Sequence, residues 1–232
     1  MLALLPTGSA SMHVQSSSPT SPKTDTPREK NAKALKHLTH GLPSALAPFS
    51  RFLLYARRNP DATQKKQILS ASTTIAEIMV GHLNYEVEGD RVCCLDYHSV
   101  MLGLVTILVV DERTMNPTLH TVLLLAFQRA KGLEAIFKIC KYFTDLLDGA
   151  TALKPEDRTE TMQQELAHAQ GGLKVALNLL HPLLSSKPLI ESGQTSLVTT
   201  REKKDTESGY FEPHHFLVGL RLESIPLLRS IW

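Results

Sequence analysis

The chain has 232 residues, with 25 Lys and Arg against 23 Asp and Glu for a formal charge of +2, and 42% of its residues are hydrophobic. That length suits one large domain or two small ones with a buried core, and the near-neutral charge argues against a dedicated nucleic-acid binder, which carries a basic excess. The three cysteines, Cys93, Cys94 and Cys140, cannot pair evenly and two are adjacent, so a disulfide framework is excluded in favour of a reducing compartment, cytoplasmic or nuclear.

Residues 1–30 hold ten Ser or Thr and four Pro, with little that could form a core. Such a stretch does not recover its ordering entropy by burial and is expected to be a disordered tail. Its Ser18-Pro19, Ser21-Pro22 and Thr26-Pro27 pairs favour extended backbone; they read as phosphorylation sites or as plain solvated tail. Met1 to Pro6 is apolar but lacks the basic flank and the length of a secretory signal.

From Asn31 the punctuation is helical, and residues 31–232 are expected to form one helical-repeat domain. Leu35, Leu38 and Leu42 make a short stripe ending near Gly41 to Pro43, and Ser44–Arg58 follows with Leu46, Phe49, Leu53 and Tyr55. Asn59-Pro60-Asp61 is a turn. Ile68, Ser72, Ile75, Met79 and Leu83, spaced 4, 3, 4 and 4, predict an amphipathic helix from about Thr63 to Leu83. After a loop at Asn84–Asp90, the segment from Val92 to Val110 reads as an apolar helix. It is too short for a bilayer core, and it lacks the alternation or turn of a strand hairpin. Asn116-Pro117 predicts the next helix start, Asn as N-cap and Pro in the first turn. Further helices are expected over Leu133–Leu147, Pro155–Gln170 and Leu173–Leu184, the last two separated by Gly171-Gly172. A polar loop at 192–209 and a final helix from Pro213, disturbed by Pro226, complete the chain.

Residues 126–140 and 166–180 align without gaps at an offset of 40, matching apolar positions 126/166, 133/173, 136/176, 137/177, 139/179 and 140/180 and a glycine at 132/172, and a weaker third copy runs from Gly41-Leu42 with Leu46, Phe49 and Phe52. The reading is a helix ending at Gly followed at once by its antiparallel partner. A period near 40 fits armadillo or HEAT arrays, in which hairpins stack to bury their stripes. The fold class is therefore all-α, an armadillo/HEAT-like α-solenoid of stacked helical hairpins; two hairpins of an irregular bundle are the alternative.

No phosphate-binding glycine loop or nucleophile elbow occurs. Cys93, Cys94 and His98 fall within two turns but find no partner pair for zinc, and buried packing is the expected role of the cysteines. His37 and His40 lack an accompanying carboxylate, and His214 and His215 point apart on a helix. No cofactor or metal site is expected. A basic cluster, Arg51, Arg57, Arg58, Lys65 and Lys66, around the Asn59–Asp61 turn is a candidate interaction surface, or simply a solvated helix end.

The C-terminal phrase carries a family resemblance. Phe211, Pro213, Phe216, Leu217, Val218, Leu220, Arg221, Pro226, Arg229 and Trp232, with Ile225 in place of Leu, resemble a phrase of the giant HECT-type E3 ubiquitin ligases, the Mule/Tom group, and especially of fungal members. Gly172 to Lys174, Glu191 to Ser196, Asp111 to Arg113 and Thr118 to Leu124 are similar to that family as well. The resemblance implies an N-terminal armadillo-like region of a ubiquitin-protein transferase. None of the three cysteines matches the HECT nucleophile, so no catalytic residue carries over. It also implies a fragment truncated at Trp232, acting as a non-catalytic scaffold that recruits substrates. Its expected partners are protein substrates or other solenoid segments, not membrane and not nucleic acid. A stand-alone helical adaptor with no ubiquitin link is the rival reading.

Overall fold

The computed structural model describes residues 61–86, 90–111, 118–194 and 211–231, with isolated positions between 26 and 49. The chain divides into two compact units, Met1–Lys36 and His37–Trp232. In the first unit Pro27, Lys30, Asn31, Lys33 and Ala34 are helical, and the Lys30 N–H donates to the Thr26 carbonyl at 3.0 Å. Helical backbone thus begins inside the stretch expected to be tail; residues 1–25 lie outside the described residues.

The second unit contains seven helices among its described residues. Helix α1, Ala62–Leu83, starts where Asp61 accepts a hydrogen bond from the Gln64 N–H at 2.7 Å, an N-cap that satisfies one of the unpaired donors of the first turn. Its predicted stripe faces inward. Ile68, Met79 and Leu83 are buried, and the Ser72 hydroxyl is satisfied by the Ile68 carbonyl at 2.7 Å. Helix α2, Arg91–Val109, is capped in the same way by Asp90, which accepts from Val92 N–H at 3.0 Å. It is long and apolar enough to cross a membrane by length and composition alone, the one such helix among the described residues. Here it packs along α5 instead, with Leu95, Leu102 and Val105 buried.

Two short strands follow. β1, Val110–Asp111, pairs antiparallel with β2, Thr118–Leu119, in the register Val110 to Leu119. The apolar run is helix to Val109, as expected, and only its last residue, Val110, enters the strand; the helix expected at Asn116-Pro117 starts later. α3 runs Thr121–Arg129, with His120 at the N-cap making no side-chain cap bond. The His120 N–H instead donates to the Val109 carbonyl at 2.9 Å, and the Leu119 N–H to the Ser192 hydroxyl at 2.8 Å. These tertiary bonds hold 118–120 extended, overriding the local helix-start signal.

Helix α4, Gly132–Thr151, runs straight through Asp148-Gly149, where a stop was expected. After a 3-10 turn at Pro155–Asp157, α5 spans Glu160–Leu184 as one helix of 25 residues. Gly171-Gly172 lies in its middle rather than between two helices. α6, Ser186–Gln194, extends three residues into the stretch expected as a polar loop, and 195–210 lie outside the described residues. The last helix, α7, Pro213–Ile231, contains Pro226 without ending there.

The core sits where α1, α2, α3, α4 and α5 converge, with Phe216, Leu217, Leu220 and Leu227 of α7 packed into it. Phe127, Phe143 and Phe211 are fully buried, among Leu102, Leu123, Leu124, Ile136, Leu179, Leu180 and Leu183, each such side chain contributing about 1.5–3 kcal/mol. The two segments aligned at offset 40 keep matching burial at 133/173, 136/176, 139/179 and 140/180. They do not form the same unit, because 126–132 spans a break between two helices and 166–172 is continuous helix. The third copy is not packed either: Leu46 and Phe49 are 38% and 61% exposed.

The matched glycines share a different property. A Cβ on Gly132 would lie 2.4 Å from the Phe127 ring, and one on Gly172 would lie 2.5 Å from the Phe143 ring. Both glycines let a phenylalanine close onto a helix backbone. The left-handed residue at the α3–α4 break is Lys131, with φ of 63°, and not the glycine.

Candidate functional site

The C-terminal phrase divides into two faces. Phe211 and Phe216 are buried with ring centroids 5.4 Å apart, and Leu217 and Leu220 join them in the core. Pro213 is half-buried at the start of α7. Val218, Arg221, Pro226 and Arg229 are exposed, as is Ile225. The Arg221 guanidinium caps a neighbouring helix, donating to the Leu184 carbonyl at 3.0 Å. Leu184 ends α5, so a cation meets an orphan carbonyl at the negative end of that helix. Trp232 lies outside the described residues.

Of the basic cluster, Lys65 is half-buried in the first turn of α1 and Lys66 is exposed; Arg51, Arg57 and Arg58 lie outside the described residues. An open depression of about 390 Å³ lies on α1, lined by Gln67, Ser70, Ala71, Thr74 and Ile75. His37, His214 and His215 are exposed, and His40 lies outside the described residues.

A seam of polar side chains between α2 and α5 was not anticipated as a unit. Asp96 meets His168 at 2.6 Å, Arg91 meets Glu165 at 3.2 Å, and Gly172 lies against Ser99. The partners ascend together along both helices, so α2 and α5 run parallel, offset by about 73 residues. Parallel neighbours cannot be consecutive in a tight hairpin, and no local spacing signals such a pair.

At the N-terminal half of α2 the seam continues into an aromatic group. His82 Nδ1 and the Tyr97 hydroxyl are 2.6 Å apart, and Tyr97 packs against Tyr85 and His98. Cys94 Sγ approaches His98 Nδ1 at 3.5 Å. A thiol beside an imidazole is the outline of a nucleophilic pair, but the electrostatics point the other way. Burial pushes the Cys94 thiol up. Burial also holds the His98 imidazole below its ordinary range, Lys138 acting in the same sense and hydrogen bonds to backbone at Cys94, Tyr85 and Leu83 opposing. Burial thus disfavours both the thiolate and the imidazolium, the charge pair that activates such a cysteine. Burial pushes Cys140 up to about 12. Cys93, expected to be buried, is exposed in the first turn of α2. No group of three metal-ligating side chains occurs among the described residues.

The chain is similar to an E3 ubiquitin-protein ligase TOM1-like of Neurospora crassa, 24% identical over 212 residues, which take in 88% of this chain and 5% of that protein. The likeness runs over most of the chain and supports an E3-ligase-related family. No protein-family model matches the chain, and no solved structure does.

Proposed function

We propose that the chain is a non-catalytic scaffold segment of a HECT-type E3 ubiquitin ligase, an armadillo-like α-solenoid piece that helps recruit protein substrates in the cytoplasm or nucleus. The observation that carries this reading is the similarity to the TOM1-like ligase across 88% of the chain. Two features of the fold support it. The side-by-side parallel packing of α2 and α5 is the relation that equivalent helices have in stacked hairpins. The cysteines Cys94 and Cys140 have thiols pushed up by burial, which suits packing rather than ubiquitin transfer.

The test has two parts. Incubated with ubiquitin, E1 and E2, the chain should form no thioester; a reducible ubiquitin adduct on Cys93, Cys94 or Cys140 overturns the non-catalytic role. Reading the transcript beyond both ends of the chain should place a HECT domain in the same open frame. A frame of this length alone, giving a stable product of this size in cells, overturns the ligase assignment in favour of a stand-alone helical adaptor.

A further inference from the structure

The Ser/Thr-Pro pairs of the first 30 residues have no role in the proposed scaffold, and one of them falls where the backbone changes character. Thr26 is non-helical and exposed, and Pro27 is the first helical position among the described residues. The Lys30 N–H donates to the Thr26 carbonyl at 3.0 Å, so Thr26 is the N-cap and Pro27 stands at N1, where its missing N–H costs nothing. Lys30, Asn31, Lys33 and Ala34 are helical and, like Pro27, exposed. With none of the described residues of 26–34 buried, capping and end charges weigh heavily in how fully this helix forms. Those charges leave room for an anion. Arg28, Lys30 and Lys33 outnumber Asp25 and Glu29 around the cap, although the N-terminal end of a helix dipole disfavours cations. At about 100° per residue, Lys30 and Lys33 fall within about 40° of Thr26 around the helix axis.

We propose that Thr26 is a phosphorylation site of a proline-directed Ser/Thr kinase, and that the phosphate strengthens the helix it caps. Such a kinase takes an exposed Ser/Thr-Pro pair in extended form, and the residue before a proline is biased to extended backbone; Thr26 meets both conditions. In the reaction Thr26 Oγ attacks the γ-phosphorus of ATP. The Oγ–P bond forms as the P–O bond to ADP breaks, and the hydroxyl proton passes to the kinase's catalytic carboxylate. The product carries close to two negative charges and three acceptor oxygens on the N-cap side chain, in front of the first-turn N–H groups that lack helical partners. Lys30 lies four residues on, the favourable order for an acid and a base on one helix face. Glu29, three residues on, repels the phosphate, but Lys30 and Lys33 outnumber it on that side. Ser18-Pro19 and Ser21-Pro22 offer the same dipeptide; of the three pairs only Thr26-Pro27 lies within the described residues, and it opens a helix. The proposal holds equally for a ligase scaffold and for a stand-alone adaptor.

The experiment incubates the full chain with ATP, Mg²⁺ and a mitogen-activated protein kinase, and in parallel with a cyclin-dependent kinase. Peptide mapping by mass spectrometry should place a phosphate on Thr26. Pro27→Ala should abolish that phosphate while keeping the helix, since alanine is a good helix former. The same phosphopeptide should be found in the protein purified from its own cells with phosphatase inhibitors. Amide hydrogen exchange over residues 28–34 should slow by about two- to fivefold on phosphorylation, the size of a charge effect at a helix end. High salt should shrink this slowing, and so should Lys30→Ala. Unmodified Thr26→Ala should exchange faster than the unmodified native chain, because it loses the cap. Phosphate on Ser18 or Ser21 with none on Thr26, in both preparations, overturns the site. Phosphorylation of Thr26 that survives Pro27→Ala overturns the kinase class. Exchange that is unchanged or faster in the phosphorylated chain overturns the strengthening of the helix.

Discussion

Gly171 and Gly172 are neighbours in the middle of α5, yet alanine should have opposite effects at the two sites. Alanine at either position gains up to about 1 kcal/mol of helix propensity over glycine. At 171 nothing lies within 4 Å of an added Cβ, so Gly171→Ala should stabilise the fold by about 0.5–1 kcal/mol. At 172 the new Cβ would lie 2.5 Å from Phe143 Cε2, 2.6 Å from its Cζ and 2.6 Å from Ser99 Oγ. The Phe143 ring is fully buried, and Ser99 Oγ is tied to the Leu95 carbonyl at 2.7 Å, so neither can move freely. Overpacking of this kind costs about 1–3 kcal/mol. Because the propensity gain is common to both variants, their difference isolates the steric cost, about 1–3 kcal/mol. At about 2–4 °C per kcal/mol for a chain of this size, the two melting temperatures should separate by about 2–12 °C, read by far-ultraviolet circular dichroism and checked by urea unfolding. If Gly172→Ala proves as stable as Gly171→Ala, α2, α4 and α5 do not converge at this point. If Gly171→Ala is the damaging change, the helix breaks at the glycine pair, as the local sequence alone would suggest.

Ser192→Ala should cost about 1–3 kcal/mol in urea unfolding, because it leaves the Leu119 N–H without the hydroxyl it donates to in a buried setting; a change within error would refute the tie between α6 and β2. Burial keeps His98 neutral in the fold below its ordinary value of 6.5. The unfolded chain therefore binds the proton first as pH falls, and the stability present above about pH 6.5 is lost progressively below it. Urea unfolding from pH 7.5 to 5 should accordingly fall more steeply for the native chain than for His98→Gln, and parallel curves would count against the burial of His98. Alkylation with iodoacetamide at pH 8 should modify Cys93 first and Cys94 more slowly. Cys140, buried and pushed up to about 12, should react only on unfolding, since its thiolate fraction is on the order of 10⁻⁴. Peptide mapping by mass spectrometry checks this order, and early labelling of Cys140 would refute it.

Where a signal is local, the fold was legible. Asp61 ahead of a 4, 3, 4, 4 stripe located α1 to within a residue at its start, and Pro213 opened α7 where expected. The errors share one cause: glycine and proline were read as punctuation when their meaning is set by tertiary contact. Gly172 and Gly132 are places where a phenylalanine ring needs the space of a Cβ, and that demand comes from Phe143 and Phe127, each on a different helix from the glycine it meets. Asn116-Pro117 carries a valid helix-start pattern, but bonds from 119 and 120 to Ser192 and Val109 hold the following residues extended. The same limit hid the seam between α2 and α5, whose paired residues lie about 73 positions apart and leave no periodic trace. For the C-terminal phrase the lesson runs in the other direction. Its buried half, Phe211, Phe216, Leu217 and Leu220, is explained by packing, and Arg221 by the cap it places on α5. Val218, Ile225 and Arg229 are exposed and contribute nothing evident to the core, so the fold alone does not account for them. Within one helix, packing explains the buried half of the phrase, while the exposed half answers to no contact among the described residues.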